Sequence, residues 1–398
     1  MIVFIGGFPP SIARLAEYNY EVVKAMAEKL VKHGVQIYVL ANKIDMFVNE
    51  KFDNPSNVKV MRVWQKDNTL SLLLKLILMR KKSSMIIISY YHGIFGSSAL
   101  LNFLSIAIIL ILGKILHYKI LIILHTLPEL RKEFFTTFHS RFSYIYYLGL
   151  RITSLLMFKI AQRIILLVKT YYNVMCTTLP LLCSKMRYIP HGVPNYVCYG
   201  IKTPSIDKKV KIAFIGLISF RKNLLALIEA LRDIKLSLNS DIELMLIGAP
   251  HPYAFRIHDL FLVVKRAIES GISLKYLGYI PTRDLQEYVF KHIDIVVLPY
   301  SVPTGTSGMA HIIAPATTPI IMPSFMEFIE LYIDGHGLAF FDVRKENIAT
   351  ELSKVIYDVL TNKTKYCELS KRMLTYSRTH DVNLTSLLLL KEVIALYR

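Results

Sequence analysis

MIVFIGGFPPSIARLAEYNYEVVKAMAEKLVKHGVQIYVL, residues 1–40, holds the pattern that decides the fold. The apolar run IVFI at 2–5 ends in Gly6-Gly7, a helical pattern occupies Glu17 to His33, and Gly34 precedes a second apolar run, VQIYVL, at 35–40. Two short β-branched runs around an amphipathic stretch make a strand, helix, strand unit. The alternation continues with VKVMRV (58–63), MIIIS (85–89), KILIIL (119–124) and RIILLV (163–168). Strands that are apolar on both sides of the pleat belong in a parallel sheet covered by helices on both faces. A second series repeats the signature: KIAFIG (211–216), IELMLIG (242–248), SLKYLGY (273–279), DIVVLPY (294–300) and TPIIMP (318–323), with helical stretches after Lys222, Asp259, Asp284 and Ser307. Between the two series, PNYVCYGIKTPSIDKKVK (194–211) has turn residues and charge without periodicity and reads as a linker. The predicted architecture is α/β, two doubly wound Rossmann-like domains. Such sheets bind ligands beyond the carboxyl ends of their strands, which places the expected site in a cleft between the domains.

Composition agrees. A chain of 398 residues, 53% hydrophobic and 19% charged, is too long and too apolar for a disordered tail or a disulfide-stapled module. Lys and Arg outnumber Asp and Glu by 48 to 29, a net charge of +19 that favours phosphates, acidic polymers or an anionic membrane face. The cations are dispersed and no nucleic-acid motif accompanies them, so nucleic acid is not an expected partner. Cys176, Cys183, Cys198 and Cys367 form no CxxC pair and do not cluster with histidine, which argues against a zinc site and a disulfide framework and fits a reducing cytosol. The opening residues lack the basic region of a signal peptide. Ser97 to Gly113 is strongly apolar but shorter than the roughly 20 residues of a membrane span, and it reads as a buried helix leading into a core strand.

The chemistry should lie in loops that follow strands. Gly6 and Gly7 let backbone N–H groups approach a ligand before a helix whose first turns hold Arg14 and Glu17. His125, in HTLPE (125–129), stands at the carboxyl end of a core strand, and His92, in YHGIFG (91–96), follows another. Gly192, in YIPHGVP (188–194), suggests a positive φ at a hinge between the domains. In the second series, Arg221 and Lys222 sit where a strand passes into a helix, and two cations beside a helix N-terminus suit a diphosphate. Ser307, Gly308 and Met309, in PTGTSGM (303–309), offer consecutive N–H groups and hydroxyls before another helix. GAPHP (248–252) is placed to shape the same pocket.

In order, these segments resemble the family-four retaining glycosyltransferases of the GT-B fold. The resemblance runs through FPPS (8–11), LHTLPE (124–129), IPHGVP (189–194), GLISFRKN (216–223), LIGAPHP (246–252) and DIVVLPYSVPTGTSGMAHIIAPATTPIIMP (294–323), and closes on ELYIDGHGLAF (330–340). It covers almost the whole chain. It implies an acceptor-binding domain at 1–195, a linker at 196–210 and a nucleotide-sugar-binding domain at 211–380, with a terminal helix at about 381–398 packing back on the first domain. By the same resemblance, Lys222 contacts the donor diphosphate with Arg221 beside it, and His125 faces the transferred sugar. Ser307, Gly308 and Met309 hold the diphosphate through main-chain N–H groups, while Gly6, Gly7 and the following loop lie near the donor phosphates and the acceptor.

The chain departs from many relatives at a paired-glutamate pattern, where Thr304 and Ile312 stand, and at an arginine position, where Leu217 stands. It looks closest to the subgroup that combines HGVP with a Ser-Gly turn. The implied reaction is sugar transfer with retention from a nucleotide-diphosphate sugar, with no cofactor and no metal. A catalytically inactive GT-B binding subunit is the alternative. LSLLLKLILMRKK (70–82) and FSYIYYLGLRITSLLMFKIAQR (142–163) combine apolar faces with aromatics and cations, as interfacial helices do. They make a glycan or lipid-linked acceptor and an anionic membrane surface the expected partners, in the cytoplasm or on the cytoplasmic membrane face.

Overall fold

A computed structural model describes residues 1–11, 14–43, 52–80, 85–91, 93–126, 152, 154–194, 196, 199–204, 209–219, 222–250, 257–302, 305–345 and 347–397. It divides into two compact units. One holds Met1–Gly192 with the helix Val382–Tyr397, and the other runs from Val193 to Asp381 apart from a short loop segment.

The first unit is built on β1 (Ile2–Ile5), β2 (Ile37–Asn42), β3 (Val58–Trp64), β4 (Met85–Tyr90), β5 (Lys119–Leu124), β6 (Arg163–Leu166) and β7 (Met186–Tyr188). They pair in parallel in the order β3-β2-β1-β4-β5-β6-β7. Strand alternation explains why the runs are apolar throughout. Val3, Ile5, Ile86, Ile88, Ile120 and Ile122 enter one core layer, while Ile2, Phe4, Met85, Ile87, Leu121 and Ile123 enter the layer on the opposite face. The first layer is covered by helices Leu70–Leu78 and Ala99–Ile115, the second by Arg14–Leu30 and Val382–Tyr397.

The terminal helix is tied in along its length. Thr385 Oγ1 donates to Pro190 O at 3.0 Å, Glu392 Oε2 pairs with Arg163 Nε at 2.7 Å, Lys119 Nζ reaches Leu396 O, and Tyr397 OH donates to Met1 O at 2.8 Å. Gly192 does not adopt the expected positive φ. Its requirement is steric: a Cβ there would lie 2.7 Å from Val382 Cα, so glycine is what lets the terminal helix approach.

The second unit repeats the plan with β8 (Lys209–Ile215), β9 (Asp241–Ile247), β10 (Ser273–Gly278), β11 (Ile295–Val297), β12 (Ile320–Pro323) and β13 (Leu338–Phe341). Its order is β10-β9-β8-β11-β12-β13, again parallel. In each sheet the strand order reverses beside the first strand, between β1 and β4 and between β8 and β11, and that reversal opens a crevice at the carboxyl ends.

Two further expectations are corrected. Cys176 and Cys183 form a disulfide within one short segment, which their seven-residue separation did not suggest; Cys198 lies outside the described residues and Cys367 is free. The apolar stretch at 97–113 is the helix Ala99–Ile115, and it is buried on one face only. Asn102 anchors that face, donating to Tyr90 OH at 2.8 Å and accepting from Phe95 N at 3.1 Å. Leu100, Leu104, Ile108, Ile111 and Ile115 are 44–65% exposed on the other. Among the described residues, no helix is long and apolar enough to cross a membrane.

Candidate active site

In the first unit the site forms where β1, β4 and β5 end. Gly6 is flanked by Asn19 and Ser89; a Cβ on it would stand 3.0 Å from Asn19 Nδ2 and 3.1 Å from Ser89 Cβ, so a bare backbone is needed. Asn19, wholly buried, comes from the helix Arg14–Leu30 and donates through Nδ2 to Gly7 O at 2.8 Å. Ser89 Oγ lies 2.8 Å from Asn19 Oδ1 and 2.9 Å from His125 Nε2. The His125 backbone N–H donates to Tyr90 O at 3.0 Å, continuing the β4–β5 ladder and fixing where the ring begins.

Tyr18 meets His125 edge-on at 5.5 Å between ring centres and lies 4.2 Å from the His191 ring. Burial pushes His125 down to about 3, with His191 adding to the effect. The ring is therefore neutral at ordinary pH, a hydrogen-bonding group and not a fixed cation. Arg14 and Glu17 pair with each other, with Nη1 3.0 Å and 3.1 Å from the two carboxylate oxygens. His92 lies outside the described residues.

In the second unit Lys222 occupies the loop after β8, directly ahead of the helix Leu224–Leu238. Its Nζ stands 3.6 Å from the centre of the Tyr300 ring, a cation held against an aromatic face. Tyr300 follows β11 and is nearly fully buried. Burial pushes its hydroxyl up to about 12, with the Ser307 side chain pulling the other way. Ser307 takes a φ of 53°, and the helix Gly308–Ile313 begins on the next residue. Gly216 comes close enough to the Met309 side chain that a Cβ would sit 3.8 Å from Met309 Cγ, so the β8 and β11 loops share one end of the sheet. Ile312, at one of the paired-glutamate positions, is buried in the domain core. Arg221, Thr304, His251 and Pro252 lie outside the described residues. No group of three or more His, Cys, Asp or Glu side chains among the described residues is arranged to hold a metal ion.

Asn19, Ser89, Tyr18 and Tyr300 escaped the sequence reading. Ser89 carried the clearest signal, a polar residue near the end of an otherwise apolar strand. His191, read there as part of a hinge, joins the aromatic group beside His125.

Two further buried histidines make the fold sensitive to acid. His191 in the first unit and His336 in the second are both pushed from 6.5 down to about 4 by burial. Their contribution is present above about pH 6.5 and is lost as pH falls toward 4, because the unfolded chain binds the protons first. Each is worth about 3 kcal/mol at neutral pH, and urea midpoints measured between pH 7 and pH 4 should fall steeply. A flat profile would refute the buried neutral state.

Residues 201–379 match the family described as Glycosyl transferases group 1. Solved structures match across the whole chain. HepE of Anabaena, in complex with UDP and glucose, superposes with a TM-score of 0.68 at 14% identity, covering 98% of each chain. WaaG, a glycosyltransferase involved in lipopolysaccharide biosynthesis, gives 0.69 at 11% identity over 97% of each. A trehalose-6-phosphate synthase, studied with bisubstrate glycomimetics for glycosyl transfer with retention, gives 0.68 at 12% identity over 99% of each. The fold is GT-B. No curated protein matches the chain in sequence. Apart from Thr304–Thr306, the family match falls within the second unit, the one that carries Lys222, Tyr300 and the Ser307 turn.

Proposed function

We propose that this GT-B protein is a retaining glycosyltransferase that moves a sugar from a nucleotide-diphosphate donor to an acceptor hydroxyl without a metal ion. The observation that carries the reading is Lys222, fixed over Tyr300 at the strand-order reversal of the glycosyltransferase domain, just ahead of the helix Leu224–Leu238. As the glycosidic bond to the donor breaks, negative charge grows on the leaving diphosphate. A lysine ammonium and the N–H groups at Gly308 and Met309 meet that charge already oriented, which is the most effective form of electrostatic catalysis. A transition state with cationic character at the sugar needs little help from a strong base, and His125, neutral in its pocket, orients the sugar by hydrogen bonding. Arg221 supplies a second cation to the diphosphate, while Gly6, Gly7, Arg14, Glu17 and His92 belong to the donor and acceptor loops.

The test is thermal stabilisation by UDP, GDP, ADP and dTDP sugars with the parent nucleotides as controls; HepE, also solved with UDP-glucose, makes that donor the first to try. A donor at about 100 times its Kd adds roughly 2.7 kcal/mol to stability. Stabilisation by one base supports the reading, whereas no response to any member overturns it. Binding without turnover would favour the inactive subunit, for which Ile312 in place of a carboxylate is the specific support.

The acceptor is proposed to be a glycan or lipid-linked sugar reached at the cytoplasmic face of a membrane. The exposed apolar face of the helix Ala99–Ile115, together with Leu70, Leu74 and Leu78 of the neighbouring helix, supports this, with Lys75 and Lys114 supplying cations. Half of the second segment offered as interfacial, at 142–163, falls outside the described residues. Flotation with vesicles rich in anionic lipid should carry the protein at low salt and release it at high salt. No association at low salt would remove the membrane from the proposal.

A further inference from the structure

Hydrogen-bond polarity runs in one direction from Gly7 to His125. Gly7 O can only accept, so the group that Asn19 presents to it at 2.8 Å is the amide NH2. Turning the amide over would set two acceptors against each other. Asn19 Oδ1 therefore faces Ser89, and at 2.8 Å the serine hydroxyl must donate to it. A hydroxyl has a single proton, so what Ser89 Oγ offers His125 Nε2 at 2.9 Å is a lone pair, and Nε2 must carry the hydrogen. Asn19 and Ser89 are both wholly buried, which keeps water from supplying a different partner. Gly6 lies against both, close enough that an added Cβ would stand 3.0 Å from Asn19 Nδ2 and 3.1 Å from Ser89 Cβ.

We propose that Asn19 and Ser89 are positioning residues that hold His125 as its Nε2–H tautomer, leaving Nδ1 to accept a hydrogen bond from a substrate hydroxyl. Nδ1 has no hydrogen-bond partner among the described residues. The assignment sets a chemical preference. A sugar hydroxyl donates its hydrogen to Nδ1, whereas a carboxylate, a phosphate oxygen or a fluorine in its place brings lone pair against lone pair. That preference rests on the reading of His125 as the residue facing the transferred sugar; the tautomer itself does not.

The experiment is nitrogen-15 spectroscopy of the full chain labelled at histidine, with His125→Gln used to identify the His125 ring signals. The native protein should show a pyridine-type Nδ1 and a pyrrole-type Nε2. In Ser89→Ala the ring loses its fixed acceptor, and both nitrogens should move toward averaged positions. In the same variant kcat should fall roughly tenfold while KM for the nucleotide sugar stays within about twofold, the size expected for one neutral hydrogen bond lost in the transition state. A pyrrole-type Nδ1 in the native protein would overturn the proposal, and so would Ser89→Ala signals identical to native. The native spectrum decides the matter even if the variant does not fold. If the ring signals follow the proposal but no nucleotide sugar is turned over, the tautomer assignment stands and the transferase reading fails.

Discussion

Replacing Lys222 by alanine should lower sugar transfer by about 10²- to 10³-fold while leaving both units folded, the range seen when one oriented electrostatic group is removed from a developing charge. The side chain is only partly buried and its ammonium rests on the Tyr300 ring face, so truncation opens no core cavity. The loss should appear in kcat/KM for the donor. Lys222→Arg should recover part of it, since charge survives but a planar fork cannot occupy the place of a compact ammonium. Transfer within about twofold of native by Lys222→Ala, at unchanged thermal stability, would remove Lys222 from the site.

The second large effect is on stability. Gly248 ends β9 with a φ of 141°, and a Cβ added there would run into the backbone of Gly216, the turn that follows β8. Neither partner is a side chain that can swing away. Gly248→Ala combines a backbone conformation open almost only to glycine with an overlap that requires two strand ends to separate. The expected cost is on the order of 3 kcal/mol, read as a shift in the urea midpoint. Because Gly216 also abuts Met309, the same change should weaken nucleotide-sugar binding in whatever protein remains folded. An unchanged midpoint would mean that the loop relaxes freely.

Those two residues mark how far the sequence could be read. Gly248 and Lys222 stood out as punctuation after strong strands, and the runs IVFI, MIIIS and KILIIL became β1, β4 and β5 because residues buried on both faces leave no polar interruption. β7, three residues at a sheet edge, and β13, LAFF, were too short to stand out. The helix Ala99–Ile115 misled for the opposite reason: leucine and isoleucine cover its whole circumference, so its pattern held no information about which side meets the core. The site was legible where a loop announces itself and illegible where a partner arrives from another element. Asn19 in a helix, Ser89 in a strand and His125 in a loop are brought together only by the order of the sheet, and no spacing along the chain encodes their meeting. Tyr300 is the same case, since nothing local ties it to Lys222, 78 positions earlier.

The helix Val382–Tyr397 gives the chain an unusual birth order. Met1, Arg163 and Pro190 all wait for partners on that helix, so the amino-terminal unit cannot complete its packing until that helix is made. The unit from Val193 to Asp381 is made after the first and before that helix, so the earlier-synthesised half is the one that waits longer to complete its packing. A stop after Asp381 would therefore harm the earlier-made unit and spare the later-made one.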